Sequence, residues 1–596
     1  MFKNYNFFKK IKILFDGSNL KSLILIFIGI IFMGFFEILG VFSIAPFMAV
    51  ILDPDIVLNN RYFSYVYNIK DFGGKNDFVI FLGIAVVVFL LISNIFQAFI
   101  NWRIIHFTNI QSHRISTKLL TGYLNKPYEF YLINNTSEMT KNILTEVSRA
   151  MQGVIFQSLV ALSKIILVAF TFALLFWVDS MIATVSAFVL IFSYGIVHSI
   201  VKHKVSFLGE SLTTANYKVY KATNEALSSV KYIKVRGVEK EFVNSFCVPS
   251  KKISSYNTMN QMMALIPRYI LEVIVFGGMI LIVMVSSTNN PEVIPIMSLY
   301  AMAGYRLMPA IQSIYTGIVS IRYNISAFNM MTSNLSEADA TIDLKPKPLR
   351  LIFNNKIEME DIEYMYLNAK TTTINKINLT VKHNTTVGII GTTGSGKTTL
   401  VDILLGLLSP NSGHIKIDGI KLNNNNISAW QDSIGYVPQS INLIDGTIRN
   451  NVAFGVPNNS IDDNQVIRAL KIANMYDFVS SLDDGCDTLI GEKGVRLSGG
   501  QQQRIGIAMA LYNNPSVLIL DEATSSLDSI TENTIMDTIH NLSHKKTIVM
   551  IAHRLSTVKE CDIIYMMDKG KIIASGTYQQ MSDSNESFRA MLDATI

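Results

Sequence analysis

Cysteine is scarce: Cys247, Cys486 and Cys561 are the only three in 596 residues. They are scattered, without the paired framework of a disulfide-stapled domain and without a metal-ligand spacing, and they suit a reducing compartment around the soluble half. Excess charge of either sign is also small, +6, and gives no reason to expect a nucleic-acid partner. Much of the Lys and Arg lies in loops beside apolar runs, where orientation in a membrane is the simpler explanation. No small-residue cleavage site follows the first apolar run. The basic, aromatic start "MFKNYNFFKKIKILF" therefore reads as a cytosolic amphipathic lead-in rather than a removed signal peptide.

What the chain has in abundance is apolar sequence, unevenly divided. Mean hydropathy is +0.33 overall, and long apolar runs dominate up to about residue 325, whereas from about 350 the chain reads as an ordinary α/β domain. Runs near the bilayer-crossing length of about 20 residues predict six spans, at about 22–52, 78–102, 155–178, 180–201, 262–287 and 293–321. The third and fourth meet at "WVDS", a tight outer turn. The loops 103–150 and 202–261 are long and rich in Lys and Arg, while the outer turn at Asp179 and "STNNPEV" at 287–293 carry no basic residue. The positive-inside bias then places both termini in the cytosol. The segment 53–77 is mixed in charge and reads as a short helix on the outer surface. In "SEMTKNILTEVSRAM", Met139, Ile143, Leu144, Val147 and Met151 form a helical stripe, so the helices continue below the membrane. The expected division is a transmembrane domain over 1–330, a polar linker with two prolines over 331–356, and a soluble domain over 357–596.

The soluble domain opens with "TVGIIGTTGSGKTTLVDILLGLL", a strand, a Gly-rich loop and a helix. Gly391, Thr392, Thr393, Gly394, Ser395, Gly396, Lys397 and Thr398 fit the P-loop pattern, with Thr399 next in the helix. Glycines let backbone N–H groups turn inward around phosphate oxygens, at a helix N-terminus whose dipole favours negative charge. Lys397 would reach the β- and γ-phosphates and Thr398 would offer its hydroxyl to Mg²⁺. In "PSVLILDEATSSLD" a buried strand ends in Asp521, suited to supporting that Mg²⁺, and Glu522 is placed to polarise an attacking water.

Between these lies "LSGGQQQR", and beyond them "IAHRLS". The ordered set resembles the nucleotide-binding domain of the ATP-binding cassette (ABC) family across about 357–580. That resemblance implies ATP and Mg²⁺ as cofactors and gives roles to the matching residues. Gln439 in "GYVPQ" would link Mg²⁺ and the attacking water to the membrane domain. Ser498, Gly499, Gly500 and Gln501 would close on the γ-phosphate bound to the opposite subunit. His553 would contact the γ-phosphate, Tyr366 would stack on adenine, and Asp528 would lie between the two sites. Asn450 and Leu489 stand where exporters often carry Glu, at positions that touch the membrane domain; the hydrolytic positions are intact.

Six spans before one cassette resemble an ABC exporter half-transporter, which implies a homodimer, with a degenerate partner chain as the other possibility. Docking helices are expected near Asn134–Lys141 and Ala215–Ala222. Among the charged residues within the spans are Glu37, Arg268, Glu272 and Arg306. Arg268 and Glu272 are one helical turn apart, an ion-pair spacing. Glu37 and Arg306 could neutralise each other across the bundle, or serve a substrate. "FFEILGVFSIAPFM", "IPRYILE" and "YRLMPAI" together are similar to bacterial lipid-linked oligosaccharide flippases of protein glycosylation. That resemblance implies a polyprenyl-pyrophosphate-linked glycan, carried across a bacterial inner membrane, with Arg306 and Arg268 meeting the pyrophosphate. Export of a bacteriocin-like peptide, another lipid or a drug is the alternative, and no peptidase-like extension precedes the first span. The six spans argue against a soluble cassette ATPase, and Glu522 and His553 argue against a regulator that binds ATP without transport.

Overall fold

The computed structural model describes residues 14–15, 17–43, 47, 50–51, 64–65, 67, 74–178, 180–286, 293–341, 350–351, 353–367, 369–522, 529–552 and 554–593. The chain divides into two compact units. One is Met1–Lys126 with Ile133–Asp343; the other is Pro127–Leu132 with Leu344–Ile596.

The first unit is helical. Its helices include Gly17–Phe42, Lys75–Leu124, Gln157–Val178, Ser180–Ser228, Glu239–Ser286 and Val293–Thr341. At 1.5 Å per residue a helix of 50 residues such as Lys75–Leu124 reaches about 75 Å, more than twice the ~30 Å of a bilayer's hydrocarbon core. It therefore has length for lipid and for water. Among the described residues three stretches are long and apolar enough to cross a membrane, Asn19–Gly40, Asn76–Leu124 and Thr136–Trp177. The fourth and sixth expected spans, and the fifth up to residue 286, fall within Ser180–Ser228, Val293–Thr341 and Glu239–Ser286 respectively. Large apolar side chains such as Leu25, Ile84, Leu91 and Ile95 face outward, as lipid contact requires, while Ile30, Ile104, Val147, Met151 and Phe328 form a shared core.

The helical run after Asn135 is not regular. Asn135 caps Thr136–Lys141 by accepting from the Ser137 N–H, and two π-helical stretches follow, Asn142–Glu146 and Met151–Phe156. The second presents Gly153 to Asn324, whose Nδ2 lies 2.2 Å from where a Cβ would sit. The first buries Glu146, 1 % exposed, which accepts from Arg149 Nη1 at 2.8 Å. Arg149 also donates to Thr213 (3.1 Å) and Asn324 (3.3 Å), so one guanidinium ties three helical segments.

Several expectations meet the structure differently. The helix Val293–Thr341 runs through the start of the expected linker. Ala215–Ala222 lies unbroken inside Ser180–Ser228, and the break comes later, where the short helix Val230–Arg236 ends at Gly237 with φ +64°. The expected docking stretch Asn134–Lys141 belongs to the first unit, and the segment that packs with the second is Pro127–Leu132, just before it. The lead-in up to residue 13, Asp179, residues 287–292 and most of the outer segment 53–77 lie outside the described residues.

The second unit holds two sheets. The smaller, in order β2-β1-β4-β5, joins β1 (Lys356–Tyr364), β2 (Ile374–Lys382), β4 (Ser412–Ile417) and β5 (Ile420–Lys421). Its antiparallel strand β1 alternates, for most of its length, buried and half-buried positions, as one covered face dictates. The larger, in order β10-β9-β3-β8-β7-β6, contains β3 (Thr386–Gly391), β6 (Ile434–Val437), β7 (Val517–Asp521), β8 (Thr547–Ile551), β9 (Ile563–Asp568) and β10 (Lys571–Gly576). Strands β9, β3, β8, β7 and β6 pair in parallel. Every residue of β7 and β8 is buried, the signature of a parallel sheet covered on both faces. Such a sheet gathers loops at the carboxyl ends of its strands, and that is where the functional residues collect.

Candidate functional site: a phosphate cradle at the carboxyl edge of a parallel sheet

The loop leaving β3 turns because its glycines adopt conformations closed to other residues. Gly391 has φ +152° and Gly396 φ +100°, and a Cβ on Gly391 would come within 2.2 Å of the Met567 carbonyl oxygen. Gly396 then caps the helix Lys397–Leu404, so that helix points its free N–H groups at the loop. Lys397, 5 % exposed, curls back and donates to the carbonyls of Gly391 (2.8 Å) and Thr392 (3.1 Å). Burial pushes its ammonium below the usual lysine range, against the pull of Glu522 and Asp521. The Ser395 hydroxyl is buried and has no hydrogen-bond partner among the described residues. A buried hydroxyl without a bond is costly, and here it sits in a loop shaped for phosphate oxygens.

Strand β7 delivers Asp521 and Glu522 to the same edge. Asp521 is 5 % exposed and accepts from the Tyr436 hydroxyl. Burial and the neighbouring carboxylates of Asp521 and Asp402 push the Tyr436 phenol upward, so it stays a proton donor. Asp402, in the helix after the loop, is lifted to about 6, first by burial and then by Asp521. Glu522 takes φ +50°, unusual for a non-glycine residue. Its carboxylate accepts from Gln439 Nε2 at 2.5 Å. That orientation of the amide leaves its oxygen for a cation. A hydroxyl from Thr398, an amide oxygen from Gln439 and a carboxylate from Asp521 are the oxygen donors that a hard cation such as Mg²⁺ takes.

The Ser498–Gln501 turn is built differently. Ser498 caps the helix Gly499–Leu511, its Oγ accepting from Gln501 N–H (3.3 Å) while its own N–H reaches Gln501 Oε1 (2.8 Å). This capping box holds Gly499 and Gly500 at an open helix N-terminus. Among the described residues no hydrogen bond joins this turn to Gly391–Thr399 of the same chain. Tyr366 is half-buried, and its hydroxyl lies 3.0 Å from Thr399 Oγ1.

Residues 374–525 match the family model described as ABC transporter. Residues 374–525 are an ABC transporter domain. Such a module binds ATP, with Mg²⁺ as the usual partner ion. Over 193 residues, 32 % of this chain, the sequence is 46 % identical to ABC transporter B family member 17 of Arabidopsis thaliana, covering 16 % of that protein. Over 226 residues it is 40 % identical to ABC multidrug transporter MDR2 of Trichophyton interdigitale, covering 38 % of this chain and 17 % of the relative. The chain thus spans under a fifth of the length of these two relatives. A broader match, 28 % over 460 residues, links 76 % of this chain to 74 % of the heterocyst differentiation ATP-binding protein HepA of a Nostoc species. A bacterial Atm1-family ABC exporter solved with ATP bound superposes over 97 % of this chain and 99 % of its own, with a TM-score of 0.79 at 20 % identity. The fold of the ABC module and its helical half is therefore that of an ABC exporter.

Other expected site residues fall elsewhere. His553 and Asp528 lie outside the described residues, as does the side chain of Arg306 within Val293–Thr341. Arg268 Nε donates to Glu272 Oε1 at 2.9 Å with its side chain 55 % exposed, and Glu37 accepts from Gln97 Nε2 at 3.2 Å. Sequence reasoning missed Tyr436 and Glu129, because their partners are distant in the chain; the one local signal for Tyr436 is its place three residues before Gln439 in "GYVPQ".

Proposed function

We propose that this chain is one half of an ATP-driven exporter that works as a homodimer in a bacterial inner membrane, with both termini and the ABC module in the cytosol. Its cargo, in this reading, is a polyprenyl-pyrophosphate-linked oligosaccharide moved from the cytosolic to the outer leaflet. The bond between Gln439 and Glu522 carries the hydrolytic part, since it brings the two expected water-handling residues together beside the P-loop. Lys397 and the N–H groups of Gly394, Ser395 and Gly396 bind the phosphates, and Tyr366 receives the adenine. Thr398, Gln439 and Asp521 would hold Mg²⁺, which would supply positive charge to the phosphates. Tyr436 keeps Asp521 oriented. Glu522 polarises the attacking water, and His553 contacts the γ-phosphate.

The Ser498–Gln501 turn serves the nucleotide of the second copy, which agrees with its having, among the described residues, no hydrogen bond to Gly391–Thr399 of its own chain. The basic inner loops support the orientation. The cargo reading rests on Arg306, a cation in an otherwise apolar stretch, with Arg268 adding positive charge and Glu37 as the counter-charge that a passing pyrophosphate would displace. Arginine's planar fork suits phosphate oxygens.

The test is ATP hydrolysis by protein in proteoliposomes, with and without a pyrophosphate-linked oligosaccharide lipid. Stimulation by that lipid, absent with the same lipid lacking the pyrophosphate and lost in Arg306→Ala with basal hydrolysis retained, supports the reading. Stimulation by a peptide or a drug-like amphiphile instead would move the cargo to that class.

A further inference from the structure

We propose that Glu129 and Tyr364 are positioning residues for the nucleotide's base: they hold Tyr366 in register, so that the segment Pro127–Leu132 sets the affinity for adenine. This rests on Tyr366 receiving the adenine.

The short helix Tyr128–Ile133 follows Pro127 in sequence between the second and third spans, yet Pro127–Leu132 packs as part of the nucleotide-binding unit. From it, Glu129 Oε1 accepts a hydrogen bond from the Tyr364 hydroxyl at 3.0 Å. A bond to an ionised carboxylate is stronger than one between neutral groups. Tyr364 ends β1, where only 3 % of it is exposed. Its ring meets Tyr366 edge-on, with centroids 5.0 Å apart and planes at 87°. Edge-to-face contact fixes ring orientation as well as distance, because the positive edge of one ring seeks the negative face of the other. The Tyr366 hydroxyl, at the far end, lies 3.0 Å from Thr399 Oγ1, one residue beyond the expected Mg²⁺ ligand Thr398.

The contacts form one line, Glu129 to Tyr364 to Tyr366 to Thr399. Tyr366 follows the last residue of β1 by two and leads into a loop, so backbone alone does not fix its ring. What fixes it is Tyr364 on one side and Thr399 on the other. Since Tyr364 is in turn held by Glu129, a displacement of Pro127–Leu132 rotates or releases the ring that takes the base. By reciprocity, adenine seated on Tyr366 favours the arrangement in which Glu129 holds Tyr364. The phosphate end of the site is held separately, by the loop glycines and Lys397, and is not on this line.

The experiment uses full-length protein with Glu129→Gln, Tyr364→Phe, Tyr366→Ala and the double variant E129Q/Y364F. Both single replacements at Glu129 and Tyr364 keep shape, and Glu129→Gln carries the test alone if Tyr364→Phe fails to fold. ATP KM and kcat are measured together with the inhibition constant of inorganic tripolyphosphate, which has no base. We expect ATP KM to rise about three- to tenfold in each single variant, the size of one lost hydrogen bond, with kcat nearly unchanged and tripolyphosphate inhibition unaltered. The double variant should be no worse than either single one, because both break the same line. Equal weakening of tripolyphosphate would mean general damage to the site and would overturn the proposal. So would unchanged ATP KM in both single variants while Tyr366→Ala weakens ATP. If Tyr366→Ala itself leaves ATP binding intact, the stacking role falls and the positioning role falls with it.

Discussion

Gln439 Nε2 lies 2.5 Å from Glu522 Oε2, a bond between side chains 83 positions apart in the chain. Glu522 reaches it from a left-handed backbone, φ +50°, at the end of a fully buried strand. A glutamate held this way has its carboxylate tethered by the amide and fixed in place beside the P-loop lysine. Removing its charge while keeping its shape should stop turnover and spare binding. In Glu522→Gln, ATPase kcat is expected to fall by about 10²–10⁴-fold, the range for a positioned general base, with ATP still bound. A kcat within a few-fold of wild type would remove Glu522 from the chemistry.

Trp430 is fully buried and its indole N–H donates to the Leu404 carbonyl at 2.8 Å, which closes the C-terminal end of the P-loop helix. Trp430→Ala should cost about 3–5 kcal/mol, the usual penalty for emptying a large aromatic site. Trp430→Phe should cost less, about 1–3 kcal/mol for the carbonyl left without its donor. Thermal or denaturant unfolding of the ABC module would show the order of the three proteins.

Glu146, the last residue of the first π-helical stretch, forms a buried pair with Arg149 in the turn that follows. Taking away one partner leaves a charge without compensation, so Glu146→Ala should destabilise by about 3–5 kcal/mol. Replacing both, E146Q/R149M, should recover part of that loss. Unfolding midpoints in one detergent, compared across the single and double variants, check the sign; a double variant worse than the single one would contradict the pairing.

The three thiols should differ in reactivity. Cys247 is exposed, Cys486 is half-buried and Cys561 is buried. Burial pushes the Cys561 thiol up to about 12, with Asp562 and Glu560 adding to the shift, and burial also raises Cys486. The thiolate is the reactive form, so a raised pKa means slower attack at any neutral pH. Maleimide should modify Cys247 first, Cys486 slowly, and Cys561 only on unfolding. Mass spectrometry of a labelling time course reads the order directly.

The sequence made the phosphate cradle legible because every one of its devices is local. Gly391, Gly394 and Gly396 mark the turn, the apolar run before them marks β3, and Asp521 follows an uninterrupted buried strand. The docking stretch was expected at Asn134–Lys141 because Asn134, Asn135 and the capped helix after them give a strong start signal. The earlier Pro127 gives a weaker one, and the packing of Pro127–Leu132, with the bond from Tyr364 to Glu129 235 residues away, shows a segment that the nucleotide-binding unit holds. The π-helical stretches were not legible at all. Their residues keep ordinary helical periodicity, and the second stretch sets Gly153 against Asn324 on a helix distant in sequence. Tyr436 was invisible for the same reason: its meaning depends on Asp521 in the neighbouring strand.

The most direct test of the transport claim is flipping itself. Purified protein in liposomes is supplied with a pyrophosphate-linked oligosaccharide lipid and ATP, and the lipid reaching the opposite leaflet is measured for wild type, Glu522→Gln and Arg306→Ala. The account predicts ATP-dependent flipping by wild type, none by Glu522→Gln, and hydrolysis without flipping by Arg306→Ala. Wild-type protein that hydrolyses ATP and leaves the lipid where it was would contradict it.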